Sequence, residues 1–248
     1  MAGEDEVSAH IQFKIDDRRV RMQFMIPSKP IRSRRLLPIM REITNFVVAT
    51  AEEREVQAGR TISCTAGCGA CCRQLVPIAP SEAHELAAAV DAMPLPRREE
   101  VRRRFNEATE RFTHVGMIGD LRRLDRVVGE QVAPFGLRYF EVGVACPFLE
   151  DESCSIHADR PLACREYLVT SAAHHCAEPA TEQVEGVPLS AKVSRILRRM
   201  DQGDDAETAP TIPLILALEW AALHVDESPA RPGPELVREF IERLTGEK

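Results

Sequence analysis

The stretch Cys64-Thr-Ala-Gly-Cys68-Gly-Ala-Cys71-Cys72 places four cysteines within nine residues of a 248-residue chain. The chain has eight cysteines, and all of them lie between Cys64 and Cys176. Gly67 and Gly69 flank Cys68, and glycine lets a backbone wrap closely enough to turn its N–H groups toward sulfur. Thiolates are the soft ligands that suit Zn²⁺, Cu(I) and iron–sulfur clusters. This stretch therefore predicts a metal centre.

A second, dispersed group of cysteines follows after a long interval. It comprises Cys146-Pro-Phe-Leu149, Cys154-Ser-Ile156, Arg160-Pro-Leu-Ala-Cys164-Arg165 and Cys176. The gaps between these cysteines are wide for a zinc ribbon, which usually pairs its ligands in C-x2-C knuckles. Pro161 predicts a short helix that presents Cys164 one turn later. Arg160 and Arg165 are expected to offset the negative charge of a thiolate site.

The adjacent pair Cys71 and Cys72 bears on the number of metals. Neighbouring side chains point about 100° apart on a helix and to opposite faces on a strand. The two thiols are therefore poor candidates for two equivalent ligands of one tetrahedral metal. Either one of the two thiols does not bind metal, or the site holds more than one metal, or the two thiols face different clusters.

Taken together, these motifs resemble the YkgJ-like cysteine-cluster family, a zinc- or iron-chelating domain. The family pattern is C-x3-C-x2-C-C, then C-P-x-L, C-x-I and R-P-x-x-C-R, and every element is matched between residues 60 and 170. The resemblance implies that one shared site is formed by Cys64, Cys68, Cys71, Cys72, Cys146, Cys154 and Cys164. Cys176 lies outside the pattern and is the eighth candidate metal ligand.

Other cysteine chemistries fit the sequence less well. The spacing of Cys64, Cys68 and Cys71 also matches radical S-adenosylmethionine enzymes, but the chain has too few strands for their partial barrel. Flagellin lysine-N-methylases are similar in cysteine pattern, yet no strand, glycine-rich turn and helix follow residue 72 to hold a methyl donor. No local motif supports a nucleophilic cysteine, and no phosphate-binding G-x4-G-K-[ST] string occurs.

Composition and charge narrow the class of protein. The net charge of −7 argues against a general nucleic-acid binder, and no stretch has the ~20 continuous apolar residues of a membrane span. The first residues have neither a basic segment nor an apolar segment, so a cytoplasmic protein is expected. Structural disulfides are rare in that compartment, which leaves metal binding as the leading explanation of eight cysteines.

Hydrophobic periodicity predicts a mainly α-helical fold with a small N-terminal β-hairpin and an irregular cysteine-rich centre. The hairpin is expected over residues 9–26 with a turn at 16–19, and residues 177–188 and 201–210 are expected to be a loop and an acidic linker. The domain hypothesis is a hairpin over 1–30, a metal-binding domain over 31–188 and C-terminal helices over 189–248. Helices are expected over residues 37–58, 81–92, 97–112, 119–141 and 190–200, and two more are expected to begin at Pro213 and Pro234. Ser81 is expected to cap the second of these helices, and the fourth is expected to be broken near Pro134.

The preferred functional hypothesis is an iron–sulfur centre with a redox or enzymatic role, served by a redox partner or another protein partner. The irregular gaps, the adjacent thiols and the number of cysteines favour it. The alternative is a structural zinc site in an interaction scaffold without catalysis. His157, His174 and His175 are secondary ligand candidates, since a histidine beside a metal site is more often a neighbour than a ligand.

Overall fold

The N-terminal hairpin and the helices that cover it form the first part of the fold. A computed structural model describes residues 6–15, 18–179, 184–202, 211–226 and 228–246. Strand β1 (Glu6–Ile15) pairs antiparallel with β2 (Arg18–Pro27), so the predicted hairpin is confirmed. Ile15 pairs directly with Arg18, which places Arg18 and Arg19 in β2 rather than in the predicted turn. Residues 16–17 of that turn lie outside the described part.

Helices make up most of the described chain, as predicted. Their bounds are α1 Leu37–Gln57, α2 Pro80–Asp91, α3 Leu95–His114, α4 Ile118–Leu121, α5 Val132–Glu141, α6 Leu162–Arg165, α7 Val193–Gln202, α8 Ala217–Leu223 and α9 Gly233–Thr245. Two short strand pairs join distant segments: β3 Pro30–Ile31 with β8 Arg231–Pro232, and β4 Pro77–Ile78 with β7 Ile212–Pro213. A third pair, β5 Leu149–Glu150 with β6 Ser153–Cys154, forms a local hairpin.

Three predicted helix boundaries are wrong for identifiable reasons. Ser81 lies inside the first turn of α2, and its hydroxyl binds Ser33 and Asp201 instead of capping the helix. Pro134 is in the first turn of α5, where its missing N–H costs nothing, so the break falls earlier, over 122–131. Pro213 belongs to β7, and the following helix begins with the 3₁₀ turn Leu214–Leu216.

Apolar clusters tie the hairpin, the helices and the cysteine segments together. The largest joins the inward face of the hairpin to α1, α7 and α9. A second cluster lies between α2 and α3 and includes Phe148, whose ring meets Phe105 edge-on at 5.4 Å. Cys146 and Cys164 pack against this second cluster. The helical pair α2–α3 therefore supports the dispersed cysteine group.

The remaining predictions about the chain concern the acidic linker, the loop before it and the domain boundaries. Asp201 and Gln202 belong to the end of α7, and the rest of the expected acidic linker, 203–210, lies outside the described residues, as do 180–183 of the expected loop. The proposed domain boundaries at 30 and 188 stay a prediction. Within the described ranges, each helix is too short or too polar to cross a bilayer.

Candidate metal centre

The first cysteine group forms a tight loop that begins beside the segment after α6. The Ser63 N–H donates to the Val169 carbonyl at 3.0 Å, and the Cys68 N–H donates to Thr65 at 3.2 Å. Gly67 has a φ of 83°, a left-handed conformation that favours glycine and turns the chain between the first two cysteines. The 3₁₀ turn Ala70–Arg73 then carries Cys71 and Cys72.

The structure brings the two cysteine groups side by side. The backbone N–H of Cys146 donates to the carbonyl of Cys72 at 2.7 Å. The β5–β6 hairpin lies against Gly69: a Cβ on that glycine would be 2.8 Å from Leu149 Cδ1 and 2.5 Å from Glu152 Oε2. Segments far apart in sequence thus meet through main-chain contacts.

The β5–β6 hairpin positions Cys154. Leu149 and Cys154 are paired across the hairpin, whose turn residues Asp151 and Glu152 have φ values of 46° and 57°. Arg73 fixes this turn, since its guanidinium donates to both carboxylate oxygens of Glu152 at 2.7 and 3.0 Å. A fork of this kind holds the hairpin in a defined orientation over the first group.

Cys164 lies on the short helix α6, which confirms the helix predicted after Pro161. The Cys164 N–H donates to the Pro161 carbonyl at 3.0 Å. The start of α6 is held by Glu82 of α2, whose Oε1 accepts the Leu162 N–H at 2.7 Å. Sequence reasoning missed Glu82, although a glutamate three residues after Ala79 has the spacing of a helix-capping residue.

Arg160, before α6, and Arg165, the last residue of α6, have different roles. Arg165 is buried and donates to the Arg160 carbonyl at 3.1 Å, to Asn45 Oδ1 at 3.0 Å and to the Ala158 carbonyl. The Arg165 guanidinium therefore ties the loop before α6 to Asn45 of α1. Arg160 differs, because its Nε is buried without a hydrogen-bond partner in the described structure.

Arg160 lies within electrostatic reach of three cysteines. Burial raises the pKa of Cys154, and partial desolvation by neighbouring atoms raises that of Cys64 although the residue is exposed; the positive charge of Arg160 partly opposes each rise. A hydrogen bond with Cys72, together with burial, raises the pKa of Cys71, and Arg160 opposes this rise as well. A buried donor without an acceptor calls for a partner, and N–H groups of this kind can tune a thiolate-bound metal.

The thiols form one electrostatically coupled set. Burial raises the pKa of Cys146 to about 12 and that of Cys164 well above its ordinary value. After burial, repulsion from Cys71 contributes to the raised pKa of Cys64, Cys146, Cys154, Cys164 and Cys176. The backbone hydrogen bond from Cys146 to Cys72 places the two groups in one region. A bound cation would reverse this pattern, because metal binding deprotonates thiols.

Cys176 joins the same region from the other side. It is buried in the 3₁₀ turn Ala173–Ala177, which packs against the turn Ala70–Arg73. Tyr167 is hydrogen-bonded to Cys176, and its hydroxyl also accepts Gln74 Nε2 at 3.2 Å. Tyr167 and Gln74 were missed in the sequence, where nothing marks either as part of a site.

Comparison with known proteins places this cysteine region in a family. Residues 63–184 match the family model CxxCxxCC, described as "Putative zinc- or iron-chelating domain". The segment belongs to that family. The match spans about half of the chain, includes all eight cysteines and confirms the resemblance predicted from the motifs. No curated protein and no solved structure matches the chain.

The donor set of the chelating domain fits a thiophilic metal. All eight cysteines are free thiols, and only Cys64 is exposed. Within the described ranges, no three Cys, His, Asp or Glu side chains are gathered in the geometry of a metal site. The backbone brings the cysteine segments together, and the choice of ligands among the eight stays a prediction. His157 is exposed, and the rings of His174 and His175 meet edge-on at 4.5 Å.

Proposed function

We propose that the chelating domain holds iron as an iron–sulfur centre, with cysteines of both groups as ligands, and that it serves a redox reaction. The observation that carries this proposal is the Cys146–Cys72 backbone hydrogen bond, which joins the tight group to the dispersed one. One zinc ion takes four ligands, and eight thiols in one region exceed that number. The adjacent thiols of Cys71 and Cys72 suit a centre of more than one metal.

The chain's own residues supply binding, charge compensation and access. The cysteines hold the centre, which supplies one-electron chemistry when bound. Arg160 offers a buried N–H donor and a positive charge to the sulfur atoms, and such hydrogen bonds tune a reduction potential. Cys64, the exposed thiol, marks the side from which a redox partner protein would approach. A reducing compartment such as the cytoplasm would keep these thiols available for metal.

Metal identity decides between this proposal and a structural zinc site. We expect protein purified without oxygen to be brown and to contain iron and acid-labile sulfide. Cys146→Ser and Cys164→Ser should each lose most of the iron, whereas Thr65→Ser, a conservative change in the same loop, should retain it. A colourless protein with stoichiometric zinc and no sulfide would refute the iron–sulfur proposal and favour the zinc scaffold.

A further inference from the structure

A cleft of about 740 Å³ lies between α5 and α7 on the side of the molecule next to the cysteine region. Small-molecule sites usually occupy about 300–1,000 Å³, so this volume suits an organic ligand. Gln74 and Tyr167 are among the residues that line it, and Tyr167 is the residue that is hydrogen-bonded to Cys176. The cleft therefore reaches the cysteine region without including any of the eight cysteines.

One wall of the cleft is apolar. Leu124 and Phe135 form its buried part, with 7% and 6% of their surface exposed. Val128 and Val132 stand at the rim with 60% and 53% exposed, among the large apolar residues that the described structure leaves uncovered. Exposed apolar groups that rim a concavity are typical of a binding site.

The cleft is also lined by three arginines. Arg195, Arg198 and Arg199 lie at i, i+3 and i+4 on α7, so they share one face of the helix and all line the cleft. Arg198 is half-buried and lies near the carboxylates of Glu82 and Glu166. In the described part of the chain, Arg195 and Arg199 have no ion-pair partner. Among the described residues that line the cleft, Asp125 is the one with a carboxylate side chain.

We propose that this cleft binds a small carboxylic acid with an apolar body. The carboxylate pairs with Arg195 and Arg199, and the apolar body covers Leu124, Phe135 and the exposed valines. Arginine is suited to the carboxylate because its planar fork donates two parallel hydrogen bonds. The inference goes beyond the redox proposal and does not depend on it, since the cleft lacks the cysteines.

Calorimetric titration of the full, metal-loaded chain with octanoate, decanoate and dodecanoate tests the proposal. Affinity should rise by up to about tenfold for each two CH₂ groups added, because each buried CH₂ contributes about 0.8 kcal/mol. Acetate, which lacks the apolar body, should bind at least about tenfold more weakly than decanoate because it buries no CH₂ chain. Decyltrimethylammonium, which carries the opposite charge, should also bind at least about tenfold more weakly, because it loses hydrogen bonds to charged groups that contribute about 1.5–3 kcal/mol.

Substitutions of the arginines that line the cleft test whether the carboxylic acid binds there. The double variant Arg195→Gln/Arg199→Gln should weaken decanoate binding by about tenfold or more. Arg238→Gln is the matched control, since Arg238 is an exposed helical arginine on α9 outside the cleft. If the double variant unfolds, Arg199→Gln alone carries the test, with at least a severalfold loss expected. The proposal is overturned if decanoate does not bind, if decyltrimethylammonium binds equally well, if Arg238→Gln weakens binding as much, or if only acidic peptides bind.

Discussion

Glu82 is the residue whose removal tests how the fold positions the cysteines. Its side chain is 3% exposed, and its two carboxylate oxygens accept two different backbone donors. Oε2 accepts the Ala79 N–H at 3.0 Å, and Oε1 accepts the Leu162 N–H at 2.7 Å. One carboxylate therefore caps the start of α2 and the start of α6, the helix that carries Cys164.

Glu82→Ala leaves both of these buried N–H groups without an acceptor. Each unsatisfied buried donor costs about 1–3 kcal/mol, so the free energy of unfolding should fall by about 2–6 kcal/mol. The truncation also removes a buried carboxylate, which places the expected loss toward the lower half of that range. Because α6 loses its anchor, the variant should also retain less metal than the wild type.

The pH dependence follows from the same burial. Desolvation raises the pKa of Glu82 to about 7, although its two backbone hydrogen bonds act in the opposite direction. A carboxyl whose pKa is raised on folding binds more protons in the folded state, so it destabilises the fold as pH rises from about 5 to 8. The rise of this pKa from 4.5 to about 7 corresponds to about 3 kcal/mol over the full titration.

Urea unfolding at pH 5, 6, 7 and 8, at constant metal content, measures both effects. Glu82→Gln should remove about 3 kcal/mol of the wild-type decline over this range, because the amide does not ionise. Glu42→Gln, at an exposed glutamate on α1, is the matched control and should run parallel to the wild type. The reasoning is wrong if Glu82→Ala unfolds at the wild-type urea concentration, or if Glu82→Gln keeps the wild-type pH dependence.

Three further predictions concern the supports of the metal centre. Phe148→Ala should lower the free energy of unfolding in urea by about 3–5 kcal/mol, because Phe148 is 1% exposed, while the exposed control Val56→Ala should change it little. Gly69→Ala should lower the melting temperature and the metal content, because the added Cβ would overlap the β5–β6 hairpin. Gly136→Ala in α5 is the control and should be tolerated, because a Cβ there would have no neighbouring atom within 4 Å. Metal removal by a chelator should lower the melting temperature but leave the far-ultraviolet circular dichroism of the helices nearly unchanged, and a large loss of helix would contradict this.

The elements that were predicted correctly are those whose pattern is local. Alternation over β1 and β2 and the 3.6-residue period of α1 and α3 are properties of short windows, so the sequence contains them in full. The errors fall where a distant partner decides the outcome. Ser81 binds Ser33 and Asp201 instead of capping its own helix, and Pro213 pairs with Pro77 in a strand.

The candidate site shows the same division. The cysteine motifs and the helix after Pro161 follow from residue type and spacing, which is why the family was found from them. Spacing does not contain the contact between Cys72 and Cys146, the burial of Glu82 or the different surroundings of Arg160 and Arg165. Each of these depends on how segments from different parts of the chain pack together.

The long segment between the two cysteine groups supports the dispersed group through this packing. Residues 73–145 contain α2 and α3, and their apolar cluster receives Phe148, Cys146 and Cys164 from the dispersed group. Glu82, in the same interval, holds the start of α6. Hydrophobic burial and backbone hydrogen bonds therefore bring the cysteine segments together. A centre assembled in this way depends on the helices as much as on the cysteines, so a helix substitution such as Glu82→Ala should cost metal without removing a single thiol.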